Sequence, residues 1–164
     1  MTSQVVQVGI ALAQALALIM SSAFVCYVAI IIFPFVRHRA APPGNGAAFR
    51  WHIFVPDLNE ELVIGDTVDY LRTTFPAAHI WLIDDASDDA TGAIGRAMAW
   101  TDPGVHLVSR HLPAARTGKG DALNAAYTAL NDWLPAAADR SSIIIGVVDA
   151  DGRPAANCMD VCAG

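Results

Sequence analysis

The chain has 164 residues, 54% of them apolar, and 16 acidic against 10 basic side chains leave a net charge of -6. An acidic chain whose only lysine is Lys119 presents no basic face to a phosphate backbone, which excludes nucleic acid as the expected partner. All of the charge lies beyond Val36, so the first 36 residues are a different material from the rest.

From Val8 to Val36 the only clearly polar side chains are Gln14, Ser21 and Ser22. A hydrocarbon core about 30 Å thick needs roughly 20 apolar residues, and this run exceeds that. Its start is uncharged and its apolar stretch too long for a cleaved signal peptide. Too little chain follows to bury it as a globular helix, so a transmembrane anchor is expected. Arg37, His38 and Arg39 follow the run directly and Arg50 comes soon after, with no Lys or Arg before it. The positive-inside rule then predicts a single-pass protein of the cell membrane with its C-terminal part in the cytoplasm. Cys26, Cys158 and Cys162 would be thiols in that compartment. Residues 1–39 are therefore read as anchor and flanking bases. Residues 40–49, with paired prolines and two glycines, form a linker, and residues 50–164 form one soluble domain.

Within that domain short apolar runs alternate with helical patterns. "WHIFV" (51–55) predicts a strand, and Asn59 is placed to cap a helix over 60–75 in which Leu62, Val68, Leu71 and Phe75 fall at helical spacings. "HIWLI" (79–83) predicts a second strand, and Ser87 or Asp88 is placed to cap a helix near 90–100. "VHLVS" (105–109) is a third strand, and "RTGKG" leads into a helix over 121–134. The stripe of that helix is read as Leu123, Tyr127, Leu130 and Trp133 or Leu134. "IIIGVV" (143–148) is the fourth strand. Such alternation predicts an α/β fold, a mostly parallel sheet covered by helices.

In open α/β sheets ligands sit beyond the carboxyl ends of the strands. Polar residues collect at those ends four times: "PDLNEE", "DDASDD", "RTGKG" and "DADG". A helix cap or a turn accounts for any one of them alone, but not for the recurrence. No G-x-S-x-G nucleophile motif and no G-x-x-x-x-G-K-[ST] phosphate loop is present. His52, His79, His106 and His111 lie in or beside strands without an evident partner. A receiver-type signalling domain would need an aspartate at the exit of the third strand, which "VHLVSRH" lacks.

"VPDLNEE", "LIDDASDDATG", "GKGDALNAA" and "VVDADG", in this order, resemble the donor-binding half of a family 2 glycosyltransferase with the GT-A fold, a Rossmann-like nucleotide-binding arrangement. The resemblance covers residues 51 to 153. It implies a transferase that takes a sugar from a cytosolic nucleotide-diphosphate sugar and passes it to a membrane-associated or polysaccharide acceptor. It also implies a divalent cation, Mg2+ or Mn2+, held by hard oxygen ligands, with Asp151 coordinating it and Asp149 touching it or the donor. One of Asp84 and Asp85 would read the base, a uridine nucleotide being favoured because a carboxylate accepts the imide N–H of uracil. Pro56, Asn59 and Glu60 would line the nucleoside pocket, and Lys119 would meet the diphosphate at a helix start. Arg116 is a weaker candidate of the same kind, and Asp88 and Asp89 read as helix caps. The sequence departs from the pattern at Leu58, where an aromatic is usual, and at Asp57, where a small residue is common. After "DADG" only Asp160 remains as a carboxylate, and nothing aims it at an acceptor hydroxyl. The domain is thus expected to be a truncated one, with a membrane-tethered, non-catalytic nucleotide-sugar binding module as the alternative.

Overall fold

The computed structural model describes residues 2–37 and 42–164. His38 and Arg39, on which part of the orientation argument rests, and linker residues Ala40 and Ala41 lie outside the described residues. The chain divides into two units, Met1–Ala41 and Pro42–Gly164.

The first unit is one helix, α1 (Thr2–Arg37). Within Val6–Arg37 the mean hydropathy of an 18-residue stretch reaches 2.6, and the 32 residues make the helix long and apolar enough to cross a membrane. The apolar side chains point outward all round, which suits hydrocarbon rather than a one-sided core. Ser22 hides its hydroxyl by donating to the Leu18 carbonyl at 2.8 Å. Arg37, at the last turn, lies 4.2 Å from the centre of the Phe33 ring.

The second unit is a parallel four-stranded sheet between helices. The strands are β1 (Arg50–Asp57), β2 (His79–Asp84), β3 (Val105–Ser109) and β4 (Ile143–Val147). They lie in the order β3-β2-β1-β4, every neighbour parallel. The helices are α2 (Ile64–Thr74), α3 (Thr91–Thr101), α4 (Lys119–Trp133) and the short α5 (Cys158–Cys162). Alternation along β1 separates two cores. Trp51, Ile53 and Val55 join Ile80 and Leu82 under Ile64, Val68 and Leu71 of α2, with Ile94 and Met98 of α3 alongside. On the other face Phe54, Trp81 and Ile83 meet Ala122, Ala126 and Leu130 of α4. This is the α/β fold expected from the sequence.

Four local expectations are corrected. Asn59 does not cap α2: its backbone is left-handed, with φ 60°, and α2 begins after Val63. Leu62 consequently lies outside the helix and is exposed. Ala90, not Ser87 or Asp88, is the residue before α3. The buried stripe of α4 is Ala122, Ala126 and Leu130, while Tyr127 and Trp133 are exposed. The bulk of Phe54 and Trp81 beneath it explains why alanines face the sheet.

The second unit begins earlier than residue 50. Asn45 caps a single 3-10 turn over Gly46–Ala48 by accepting from Ala47 N, and Trp51 Nε1 donates to the Gly46 carbonyl at 2.8 Å. Asp160 closes this region from the far end of the chain. Its side chain accepts from Gly46 N at 2.9 Å and its carbonyl from Gly44 N at 2.7 Å.

Three histidines, His52, His79 and His106, find partners at the end of the sheet opposite the acidic loops. Parallel register puts His52 beside His79 and Trp81 beside His106. The His52 and His79 rings stack at 5.2 Å, His79 Nδ1 lies 3.0 Å from His106 Nε2, and Trp81 Nε1 donates to His52 Nδ1 at 3.1 Å. Trp133 covers the group edge-on. Burial lowers His52 and His106 to about 4, with neighbouring charge adding to it, and burial lowers His79 as well. All three are therefore neutral packing groups at neutral pH.

Candidate functional site

The four polar segments converge at the carboxyl end of the sheet. A cleft of about 360 Å3 opens there, lined by Pro56, Asp57, Leu58, Glu60, Asp85, Arg116, Gly118, Lys119 and Ala122. Its floor is the end of β1 and β2, and its far wall is the start of α4.

The floor is braced by hydrogen bonds between the loops after β1 and β2. Asn59 N donates to Ser87 Oγ at 3.0 Å, and Asn59 Oδ1 accepts from Asp88 N at 2.8 Å. Glu60 N donates to Thr91 Oγ1 at 2.8 Å, and Ala90 N donates to Glu61 Oε2 at 2.8 Å. Asp89 takes the Thr91 N–H at 2.9 Å, doing part of the capping work expected of it.

The two aspartates at the end of β2 have different partners. Asp84 accepts from Ser87 N at 2.9 Å and lies against the first turn of α3, where Gly92 leaves room for its carboxylate. Asp85 faces the cleft and is paired with Arg110, whose guanidinium also donates to the Ala114 carbonyl. Both members of that pair are largely buried, so the charges satisfy each other away from bulk water. Arg110 was not singled out from the sequence; nothing in "SRHLP" marks it as the partner of a residue 25 positions earlier. Arg116, held with φ 60°, pairs with Asp88 and donates to the Ala86 carbonyl at 2.6 Å, which sets it across the cleft mouth.

Asp57 stands out in the sequence only as a departure from the family pattern, and the structure shows what surrounds it. It is only 4% exposed, lines the cleft, and its Oδ1 has no hydrogen-bond partner among the described residues. Burial pushes its carboxyl up to about 7, helped by the negative charge of Asp84, Glu60, Asp89 and Asp85. A strand-end acid next to proline reads from sequence as a turn residue. Only the parallel register, which sets Asp57 beside Asp84, encloses it.

Lys119 stands in the first turn of α4 after Gly118, whose φ of 132° suits glycine. Its ammonium pairs with Asp149, so α4 and the "DADG" turn meet at the rim. That turn closes through Gly152 N donating to the Asp149 carbonyl at 2.8 Å. The Ala150 carbonyl accepts from the buried Thr67 hydroxyl of α2. Arg153 supports it further, donating to Thr67 Oγ1 at 2.7 Å and lying over the Tyr70 ring. The carboxylates of Asp149 and Asp151 remain exposed on a fixed turn.

Of the residues singled out from the sequence, Pro56, Glu60, Asp85 and Lys119 thus line one cleft. Asp149 is tied to it through Lys119, Asn59 and Asp84 hold its loops, and Asp151 projects from the adjoining turn. Among the described residues no group of three or more His, Cys, Asp or Glu side chains is arranged to hold a metal ion. Two exposed carboxylates on a fixed turn nevertheless fit a hard cation whose remaining ligands come from a phosphate, since Mg2+ is commonly bound by one or two carboxylates plus substrate oxygens.

The chain is 33% identical over 107 residues to the polyprenol monophosphomannose synthase of Mycolicibacterium smegmatis, a match covering 65% of this chain and 37% of that protein. It is 34% identical over 98 residues to the undecaprenyl-phosphate mannosyltransferase of Micrococcus luteus, covering 60% of this chain and 36% of that one. The chain therefore spans little more than a third of the length of these relatives. A mannosyltransferase from Pyrobaculum calidifontis, solved with GDP-Man and Mn2+, shares the fold with a TM-score of 0.60 at 23% identity, over 88% of this chain and 43% of its own. Residues 52–162 match the family described as glycosyl transferase family 2, and the chain belongs to that family.

Proposed function

We propose that residues 42–164 form the donor-binding part of a glycosyltransferase that uses a guanosine diphosphate sugar, GDP-mannose, and serves a polyprenyl phosphate acceptor at a membrane. The observation that carries this reading is the convergence of a buried acidic floor, Asp57 and Asp85, with a rim of Lys119, Asp149 and Asp151 around one cleft. A base fits the floor and a diphosphate fits the rim. The uridine donor favoured from sequence gives way here to guanosine, because both curated relatives are named for mannose transfer and the Pyrobaculum protein was solved with GDP-Man.

Each residue then has a task. Asp85, anchored by Arg110, accepts from the base. Lys119 lies at a helix start, where backbone N–H groups and its ammonium favour a phosphate. Asp149 and Asp151 would hold a divalent cation beside the same phosphates. Such a cation supplies charge neutralisation to the departing diphosphate. Gly118 leaves the approach to α4 open, since no atom stands where its side chain would be. The helix α1 is proposed as the anchor that keeps this site at a membrane, with the domain on the cytoplasmic side.

The test is calorimetric titration of GDP, with and without Mn2+, into the whole chain in detergent micelles, repeated on Asp151→Ala. Metal-dependent binding that the substitution abolishes supports the proposal. A folded protein that binds no GDP under either condition refutes it, whether or not it binds UDP.

A further inference from the structure

Asp57 is a buried acid with an idle acceptor. Its Oδ1 is unpartnered among the described residues, its side chain is 4% exposed, and it lines the same cleft as Asp85. Asp85 N donates to the Asp57 carbonyl at 3.1 Å, so the two residues are fixed side by side by backbone as well as by the sheet. A polar atom left without a partner in a protein interior costs roughly 1–3 kcal/mol, and such atoms are uncommon in folded chains. The residue lines the cleft with an enclosed carboxyl, and such a group is satisfied when a ligand N–H reaches it.

We propose that Asp57 is a specificity-determining residue that, together with Asp85, selects guanine over other bases. The inference rests on the nucleotide-sugar reading above and adds a residue and a rule to it. The pairing edge of guanine carries two adjacent donors, the ring N1–H and the exocyclic amine. Two neighbouring carboxyls give each of them an acceptor. The corresponding edge of uracil has one N–H flanked by two carbonyl oxygens, so the second carboxyl would face an oxygen rather than a donor. With its carboxyl ionised, Asp57 is satisfied by guanine, whereas uracil leaves it buried and opposed by a like-signed atom. Discrimination built on unpaired buried polar groups is large compared with discrimination by shape alone. Leu58, at the edge of the cleft, gives the base an aliphatic contact and no ring to stack on, which leaves more of the selection to these hydrogen bonds.

The experiment is competition among GDP, IDP and UDP, each with Mn2+, for the whole chain in detergent. The same ligands are then titrated into Asp57→Asn and Asp57→Ala. IDP keeps the ring N–H of guanine and lacks its amine, so it tests the second acceptor without any substitution. The expected result is GDP binding at least about tenfold tighter than IDP and UDP in the native chain, with the GDP-to-UDP preference falling by about tenfold or more in both variants. Equal binding of GDP and IDP, or a GDP-to-UDP ratio unchanged by the substitutions, overturns the role of Asp57 while the nucleotide site itself stands. Absence of any nucleotide binding by the folded native chain overturns the underlying reading as well.

Discussion

Replacing Asp57 by asparagine should stabilise the domain at pH 8 far more than at pH 4. The carboxyl is raised from 3.8 to about 7 in the folded state, chiefly because burial penalises its charged form. A raised acid contributes most favourably below its unfolded value, and that contribution is lost as pH rises through the folded one. At about 1.4 kcal/mol per pH unit, a rise of roughly three units caps the loss near 4 kcal/mol by pH 8. An amide of the same shape carries no such penalty, so the advantage of Asp57→Asn should grow from pH 4 upward and level off above pH 7. Urea unfolding of the whole chain in detergent, followed by tryptophan fluorescence, would read the effect. With an m-value of about 1–3 kcal/mol/M, it amounts to a midpoint shift of more than about 1 M. Taking the difference between the two proteins removes the contribution of every other titrating group. A difference flat to within about 0.5 kcal/mol from pH 4 to pH 8 would refute the reasoning, because it would mean that the enclosed carboxyl ionises as freely as an exposed one.

The histidine cluster should act with the opposite sign. His52 and His106 are lowered to about 4, so stability present above pH 6.5 is lost as pH falls toward 4. His106→Gln should flatten part of that acid loss, and identical slopes in the two unfolding profiles would contradict it. Arg110→Met should cost about 3–5 kcal/mol by stranding Asp85, as the urea midpoint would show. Thr67→Val should cost about 1–3 kcal/mol by leaving the Ala150 carbonyl unpaired. It should also weaken metal-dependent GDP binding in calorimetry, since that bond holds the turn bearing Asp149 and Asp151.

The layered fold was readable because hydrophobic runs and helical spacings alternate so regularly between residues 51 and 148. Where a residue carries its signal in its own side chain, packing is readable: Val68, Leu71 and Phe75 lie in the core as expected. What failed was information that only pairing supplies. The contacts of His52, His79, His106 and Trp81 depend on which strands are neighbours and in what register, and no local pattern encodes that. The face of α4 was misjudged because alanine is nearly silent in hydropathy, so the larger Tyr127 and Trp133 drew the stripe away from Ala122 and Ala126. Asn59 has a residue type that favours helix caps. The same short amide also tolerates a left-handed backbone, and here it bonds across to Asp88 instead.

The cross-linked loops after β1 and β2 have a bearing on how this site can be altered. Asn59, Glu60 and Glu61 on one side, and Ser87 to Thr91 on the other, complete each other's hydrogen bonds. Substitutions on the two sides should therefore be strongly non-additive, the second in a pair costing less than the first. An engineer who transplants one loop from a relative must bring its counterpart with it. Over longer times, the two segments would be inherited as one unit despite being separated by a whole helix and strand.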